Sequence, residues 1–243
     1  LLNQYRKGKK LTLPEKTDSY RYWMERNAEY AKSHLMERQR TYWEQQQSAK
    51  IDMIAVARPQ GRNTFGVSKR VGFSLSKQET KLLQQGMNAK NKVETDAILL
   101  AALSRSLKAT FGVENVRVLL EGHGREEYLE KTDISRTVGW FTSMYPFVLN
   151  SAKEDIESVL LLQDALSNQL PDKGVGYGLL RYISEQALPV MEDAQVTFNY
   201  LGDFTREEAP QQTNTSSTDT SSNPTTNRTT FSYSEYGHGL DVH

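Results

Sequence analysis

The sequence contains no cysteine, no long apolar run and no excess of either charge. Without cysteine, disulfide bonds, thiolate metal ligands and a cysteine nucleophile are excluded. No apolar run approaches the roughly 20 residues of a membrane-spanning helix, and residues 1–6 lack the apolar stretch of a signal peptide. Lysine plus arginine and aspartate plus glutamate each number 30, so no global field favours nucleic acid or an acidic membrane. These absences predict a cytoplasmic protein that binds neither nucleic acid nor membrane.

Strand-like and helix-like patterns alternate along the 243 residues, which are enough for one large domain or two lobes. Helical spacing predicts two helices between residues 18 and 50, with their aromatic residues in a core rather than on a ligand. Strands are predicted at 65–75, 116–120, 144–149, 195–201 and 231–234. Helices are predicted at 76–83, 95–110 and 151–166. Such alternation predicts an α/β layered domain.

Helix boundaries carry recognisable signals. The helices that begin at Ser76 and Ser151 each open with a Ser-x-x-Glu capping box, and Gly112 is placed to end the helix at 95–110. By contrast, residues 207–230 have no apolar side chain except Ala209 and prolines. Such a segment cannot offset its own ordering entropy, so we expect a mobile polar loop there.

The most unusual part of the sequence is EGHGRE at residues 121–126, directly after a predicted buried strand. A second polar run, DISRTVGWFTS, occupies residues 133–143. Together they place a carboxylate, an imidazole and two guanidinium groups among glycines and hydroxyl side chains. Such a mixture is poor core material, and we therefore expect an active site in this region.

Three other kinds of site are weaker hypotheses. Glu121 and His123 would share a face of a continuing strand, but a third metal ligand at convincing spacing is missing, so no metal is expected. Ser135 or Ser143 could serve as a nucleophile with a histidine and an aspartate, yet no Gly-x-Ser-x-Gly elbow is present. The glycines at 174–178 lack the strand-to-helix setting and the Lys-Ser/Thr ending of a nucleotide site. They predict a tight turn that approaches another backbone closely.

Four segments resemble the ordered motifs of epimerization domains in nonribosomal peptide synthetases, which belong to the condensation-domain superfamily. They are EGHGRE, DISRTVGWFTS with Tyr145-Pro146, PDKGVGYG at 171–178 and FNYLG at 198–202. The resemblance runs in the right order from about residue 15 to residue 202. Its first two motifs are specific, because a condensation domain that forms peptide bonds does not normally carry the EGHGRE line.

The resemblance implies an α/β fold like chloramphenicol acetyltransferase, with two lobes forming a V around a tunnel. Residues 1–50 would be the helical end of the first lobe and a connector. Residues 51–243 would be the second, C-terminal lobe, a layered mixed sheet with helices on its faces. The family's first lobe also carries an HHxxxD motif, and no His-His pair occurs here. We therefore expect a fragment that is inactive alone and that shows an apolar surface toward the missing first lobe.

The implied activity is an isomerase reaction of antibiotic biosynthesis, the conversion of an L amino-acid residue to its D form. The substrate would be an aminoacyl or peptidyl thioester on the 4'-phosphopantetheine arm of a peptidyl carrier domain. No intrinsic cofactor is implied. The expected partners are the carrier domain, the adenylation and condensation domains of the same synthetase, and the missing first lobe.

A thioester acidifies the neighbouring Cα–H, but only a base held within hydrogen-bond reach in a dry cleft can remove that proton. By the resemblance, Glu121 is this base or its conjugate acid. Asn199 and Tyr200 would line the same cleft, with Tyr200 as second acid/base or as donor to the enolate. Five further residues are expected to be structural or to line the substrate channel: His123, Arg136, Trp140, Ser143 and Gly176. Arg136 is expected to order its motif by pairing with a carboxylate.

Two alternatives stay open at the level of sequence. One is a condensation domain that forms amide bonds between two carrier-bound substrates, and Glu121 discriminates here because amide formation would not depend on it. The other is a non-catalytic lobe that docks a carrier domain. An intact HHxxxD motif upstream would argue for catalysis, and its loss would argue for docking.

Overall fold

The chain is described by a computed structural model that covers residues 1–56, 64–86, 93–153, 155–190, 194–202, 229–234 and 240–242. The predicted polar loop at 207–230 lies outside these residues, except for the last two, which begin a strand. None of the described helices is both long enough and apolar enough to cross a bilayer.

The described residues form seven α-helices and six strands. The helices are α1 (Leu2–Arg6), α2 (Tyr20–Tyr30), α3 (His34–Ser48), α4 (Lys77–Gly86), α5 (Thr95–Phe111), α6 (Asp155–Asp164) and α7 (Val175–Tyr182). A π-helical turn, Ala165–Gln169, follows α6, and 3-10 turns occur at Phe65–Val67 and Pro171–Gly174. The strands are β1 (Ser68–Phe73), β2 (Asn115–Gly122), β3 (Ser143–Asn150), β4 (Val196–Phe198), β5 (Thr229–Ser234) and β6 (Leu240–Val242).

Several helix ends follow the local signals in the sequence. The predicted capping box before α4 is formed: Glu79 N–H donates to the Ser76 hydroxyl over 3.2 Å, and Ser76 N–H donates to the Glu79 carboxylate over 2.7 Å. These two bonds satisfy donors that a helix start leaves free. Helix α5 ends at Gly112, which adopts the left-handed conformation with φ of 71°. Both boundaries are therefore determined by nearby residues.

Two local predictions are wrong, because tertiary contacts decide the conformation. Helix α6 begins at Asp155 rather than after Ser151, whose hydroxyl instead donates to the backbone carbonyl of Glu114 over 3.2 Å. The glycines at 174–178 do not form one tight turn. Gly174 is left-handed with φ of 89°, and the residues after it begin α7.

The strands form one mixed sheet with the order β1-β5-β6-β4-β2-β3. Strand β4 lies parallel to both β2 and β6, and the other neighbours are antiparallel. Parallel strands end at the same edge of a sheet, and ligand sites of open α/β sheets form at that edge. The polar motif at residues 121–126 therefore begins at the same edge as the residues that follow β4.

One face of the sheet carries the main hydrophobic core. Leu120 lies opposite Tyr145 of β3 and Phe198 of β4, and these side chains therefore share a face. All three belong to the main core together with residues of α3, α5, α6 and α7, so these four helices cover that face. The neighbouring residue Glu121 pairs with Met144 and points to the opposite face. A layered mixed sheet with helices is confirmed.

The N-terminal helices share in this packing. Trp43 of α3 is fully buried in the main core, where it contacts the rings of Tyr145 and Tyr177. Trp23 of α2 is buried in a smaller second cluster that also includes Phe141. The aromatic residues of both helices thus pack in cores, as their spacing predicts. The boundary of a first lobe at residue 50 stays a prediction, because the packing continues across it.

Candidate active site

A cavity of about 630 Å³ opens at the carboxyl ends of β2 and β4. One wall comes from the start of α5, and another comes from the turns that connect α6 to α7. The lining residues are Glu94, Asp96, Leu100, Leu120, Glu121, Gly122, His123, Glu126, Thr142, Tyr145, Leu166, Leu170, Lys173, Phe198, Asn199, Tyr200, Leu201 and Gly202. The cavity includes residues from both faces of the sheet, because it lies around the end of β2.

Acidic side chains dominate the charge of this cavity. Four carboxylates line it, from Glu94, Asp96, Glu121 and Glu126, against one lysine, Lys173. Burial raises the pKa of Asp96, and the negative charge of Glu94 raises it further, although the hydrogen bond from Ala97 N–H acts in the opposite direction. Among the described residues, no three acidic or histidine side chains come together as metal ligands would. The cavity lining therefore contains several carboxyl groups that are partly shielded from solvent.

Glu121 is the next-to-last residue of β2, which ends at Gly122. Its side chain is half-buried and lines the cavity. The apolar residues of β2 hold the strand in the core, and Gly122, paired with Ser143, is the last residue of the strand. A carboxylate at such a position has a rigid backbone below it and an open cavity beside it.

His123 lies at the exposed rim of the cavity, where it organises the residues that follow. Its Nδ1 accepts a hydrogen bond from the Arg125 N–H over 3.0 Å, and its Nε2 lies 3.1 Å from a carboxylate oxygen of Glu126. Because Nδ1 accepts this hydrogen bond, a neutral imidazole carries its proton on Nε2, the nitrogen near Glu126. His123 thus shapes the loop after Glu121 and orients the second carboxylate of the motif.

Arg125 braces the second motif against the first. Its guanidinium donates to the carbonyl of Ile134 over 2.7 Å and to that of Thr137 over 2.8 Å. The same group lies 3.9 Å from the ring centroid of Phe141, a cation–π contact. Gly124 is also required here, because its φ is 66° and a Cβ would overlap the Phe141 carbonyl. The two polar motifs therefore form one folded unit.

Helix α2 supports this unit from outside. The ring of Trp23 packs edge-on against Phe141 at a centroid distance of 4.7 Å, and Tyr20 packs against the same ring at 5.2 Å. The Tyr20 hydroxyl also donates to the carbonyl of Trp140 over 3.0 Å. The N-terminal helix is thus part of the structure that holds the motif loop beside the cavity.

The turn before α7 brings Lys173 to the cavity wall. Asp172 and Lys173 both adopt left-handed conformations, with φ of 43° and 50°, which is costly for residues other than glycine. The Asp172 carboxylate accepts hydrogen bonds from the Tyr30 hydroxyl over 2.7 Å and from the Gln39 amide over 2.6 Å. The Lys173 ammonium donates to the Leu166 carbonyl over 3.1 Å. These side-chain bonds hold a strained turn at the wall of the cavity that Glu121 also lines.

The structure brings four of the predicted site residues to the cavity: Glu121, His123, Asn199 and Tyr200. Asn199 and Tyr200 directly follow β4, whose parallel pairing with β2 places them beside the end of that strand. Strand β4 is shorter than predicted and ends at Phe198. The chemical roles expected for these residues stay predictions.

The other four predicted residues do not line the cavity. Arg136 donates to the backbone carbonyl of Glu15 over 2.6 Å. Hydrogen bonds from Ser135 lower the pKa of the Asp133 carboxyl, and the charge of Arg136 lowers it further, so the expected carboxylate pairing of Arg136 stays a prediction. Trp140 is 80% exposed, in neither the core nor the cavity. Val138 beside it is 94% exposed, so the motif loop shows apolar surface.

Ser143 and Gly176 have structural surroundings. The Ser143 hydroxyl is buried at the start of β3 and finds no hydrogen-bond partner among the described residues. Gly176 lies inside α7, where a Cβ would overlap the amide oxygen of Gln39 and lie 3.4 Å from Trp43 Nε1. Gly176 therefore permits close packing of α7 on the side chains of α3, not on another backbone as predicted.

Sequence reasoning assigned no role to four cavity residues that the structure reveals: Asp96, Glu126, Tyr145 and Lys173. Glu126, Tyr145 and Lys173 lie within the motifs that resemble the family, so membership of a motif could have identified them as candidate cavity residues. The sequence around Asp96 does not indicate a site residue, because an acidic residue in the first turn of a helix is common. Only the path of α5 shows that its first turn meets the cavity.

Comparison with known proteins gives a consistent result. A family model described as "Condensation domain" matches residues 1–236. The chain is 37% identical over 207 residues to a plipastatin synthase of Bacillus subtilis (strain 168), covering 82% of this chain and 8% of that protein. It is 35% identical over 207 residues to bacitracin synthase 3 of Bacillus licheniformis, covering 84% of this chain and 3% of that protein. The chain thus spans less than a tenth of these curated relatives.

Solved structures show the same similarity. The epimerization domain from the third module of tyrocidine synthetase B matches with a TM-score of 0.75 and 29% identity, covering 84% of this chain and 48% of that chain. The first condensation domain of the CDA synthetase matches with a TM-score of 0.57 and 16% identity, covering 98% of this chain and 48% of that chain. The second match shows the fold alone. The chain spans about half of either solved domain.

Proposed function

The chain belongs to the condensation-domain family of nonribosomal peptide synthetases, and we propose that it is the C-terminal lobe of an epimerization domain. This domain would invert the Cα of an amino-acid residue from L to D. The observation that carries the proposal is the carboxylate of Glu121, which the EGHGRE motif places in a cavity at the carboxyl end of β2. The similarity to a solved epimerization domain at 29% identity supports this choice within the family.

Glu121 is proposed to move the proton at the reacting carbon. A thioester carbonyl acidifies the neighbouring Cα–H, and a carboxylate within hydrogen-bond reach can accept that proton. The C–H electron pair then moves onto the thioester oxygen, which forms an enolate. A proton that returns from the opposite side completes the inversion. The histidine of the family's first-lobe motif is the proposed second acid, and Tyr200 is a further candidate at the cavity wall.

The substrate is proposed to reach this cavity on the 4'-phosphopantetheine arm of a peptidyl carrier domain, as an aminoacyl or peptidyl thioester. The reaction needs no intrinsic cofactor, since the thioester itself supplies the acidity. The proposed partners are the carrier domain, the adenylation and condensation domains of the same synthetase, and a first lobe that completes the active site.

The test uses the complete synthetase domain that contains this chain, together with its loaded carrier domain. We expect the wild-type domain to convert the tethered L residue to a mixture of L and D, measured by chiral chromatography after release. Glu121→Gln is expected to abolish the conversion, because the amide cannot accept the proton. Glu127→Gln is the matched control: this exposed carboxylate lies outside the cavity lining, and the variant should epimerize normally.

The same pair of variants separates epimerization from amide formation. If the wild type joins two carrier-bound substrates and Glu121→Gln leaves that reaction intact, the domain is a condensation domain and the proposal is wrong. Wild-type protein that does neither reaction would favour a lobe that only docks a carrier domain.

A further inference from the structure

Tyr145 is the most deeply buried polar side chain in the cavity wall. The residue is 7% exposed, and its ring belongs to the main core. The ring lies between two glycines of other motifs. A Cβ at position 122 would lie 3.7 Å from Cε1 of the ring, and a Cβ at Gly174 would lie 2.5 Å from Cγ. Gly174 of PDKGVGYG therefore leaves space for the phenol, and Gly122 of EGHGRE lies beside it, so three separate motifs meet at Tyr145.

Among the buried and partly buried tyrosines, Tyr42, Tyr145 and Tyr177 form no hydroxyl hydrogen bond with a described residue, and of these three only Tyr145 lines the cavity. Two half-buried tyrosines behave differently: the Tyr30 hydroxyl donates to Asp172 and the Tyr128 hydroxyl donates to Asn27, each over 2.7 Å. A buried tyrosine usually finds a partner for its hydroxyl. The position of Tyr145 in the cavity lining therefore indicates a ligand atom as that partner.

The phenol of Tyr145 is also held in its protonated form. Burial raises its pKa, and the negative charge of nearby Asp96 raises it further. A phenol with a raised pKa is a hydrogen-bond donor at neutral pH and a poor base. Its orientation is rigid, because the ring contacts Trp43 at a centroid distance of 6.1 Å and the two glycines on its edges.

We propose that Tyr145 donates a hydrogen bond to the thioester oxygen of the substrate and stabilises the enolate that forms on it. This inference rests on the proposed function. Glu121 accepts the Cα proton, the electron pair moves to the thioester oxygen, and the Tyr145 O–H donates to that oxygen without giving up its proton. Glu121 and Tyr145 lie on opposite faces of the sheet, because Tyr145 pairs with Leu120, the residue before Glu121. The base and the donor thus approach one substrate from different sides of the β2 end.

Tyr145 suits this role better than Tyr200, the phenol that the sequence suggests. Tyr200 is 37% exposed and follows the end of β4. A donor stabilises developing charge most when it is fixed in place and kept away from water. The deeply buried ring of Tyr145 meets both conditions.

The test compares Tyr145→Phe with Tyr42→Phe in the complete domain. Tyr42 is also partly buried beside Trp43, and burial raises its pKa to about 12, but it does not line the cavity. We expect Tyr145→Phe to lower kcat for epimerization by about 100- to 1000-fold, with little change in KM or Tm. Tyr42→Phe should keep wild-type kcat. A Tyr145→Phe variant that keeps wild-type kcat while the wild type epimerizes would overturn the inference.

A second readout does not depend on turnover. The domain is labelled with ¹³C at the tyrosine ζ carbons and mixed with a carrier domain that bears a stable amide analogue of the substrate, which keeps the carbonyl oxygen of the thioester. The resonance that Tyr145→Phe removes is expected to shift on addition of the loaded carrier, whereas the Tyr42 resonance should not. If the wild type fails to epimerize, the proposed function fails, but this shift still decides whether Tyr145 contacts the tethered acyl group. An unchanged Tyr145 resonance would contradict the contact.

Discussion

Substitution of Gly174 by alanine tests the packing around Tyr145 most severely. Gly174 has φ of 89°, and its Cβ would overlap the Tyr145 ring. A left-handed conformation costs an L residue about 1–2 kcal/mol, and overpacking a core costs about 1–3 kcal/mol. The ring cannot turn away freely, because it is buried against Trp43. Together these effects predict a loss of about 2–5 kcal/mol in the free energy of unfolding.

Gly178 provides a matched control in the next helix. It lies inside α7, and no atom comes within 4 Å of the Cβ that alanine would add. Alanine there should stabilise the protein by about 0.5–1 kcal/mol, since it reduces the freedom of the unfolded chain. Urea denaturation of both variants and the wild type measures these differences. The account of the Tyr145 environment is refuted if Gly174→Ala is as stable as the wild type or as Gly178→Ala.

Two further predictions concern the cavity and the motif loop. Because burial raises the pKa of Asp96, its charged form is disfavoured in the fold, and stability falls as pH rises through the interval between its ordinary and raised pKa. Asp96→Asn should therefore raise Tm at pH 7, and the gain should disappear in acid, below the ordinary pKa of aspartate; a gain that is equal at all pH values contradicts this. Arg125→Lys loses the two carbonyl contacts and should lower the unfolding free energy by about 2 kcal/mol, with faster hydrogen exchange at residues 133–138. Arg136→Lys, which removes one exposed contact, should cost less, and equal losses would argue against the bracing role of Arg125.

Sequence reasoning succeeds where short-range chemistry decides the structure. The helix at 95–110 has strong helix formers and a glycine at its end, and the observed α5 spans Thr95–Phe111. The apolar run before Glu121 predicts a buried strand that ends near this residue, and β2 does so. The order of the motifs identifies the family, which the comparisons confirm.

The errors lie where distant segments determine the outcome. The glycines at 174–178 look like a turn, but Gly176 lies on a helix, where its close packing against Gln39 and Trp43 of α3 leaves no room for a larger side chain. The sequence does not predict the contact of Arg136 with the Glu15 carbonyl, because this contact depends on the path of the N-terminal segment. The role of Asp96 depends on where α5 starts in space. No local pattern contains this information, because it arises from the arrangement of the whole core.

The most direct test of the central claim follows the proton that Glu121 is proposed to remove. The complete domain and its carrier, loaded with the L residue, are placed in D₂O, and deuterium at Cα is measured by mass spectrometry after release. The account predicts deuterium in the wild type and in Glu127→Gln, and none above the uncatalysed background in Glu121→Gln. If Glu121→Gln incorporates as much deuterium as the wild type does, the claim that this carboxylate moves the Cα proton is contradicted.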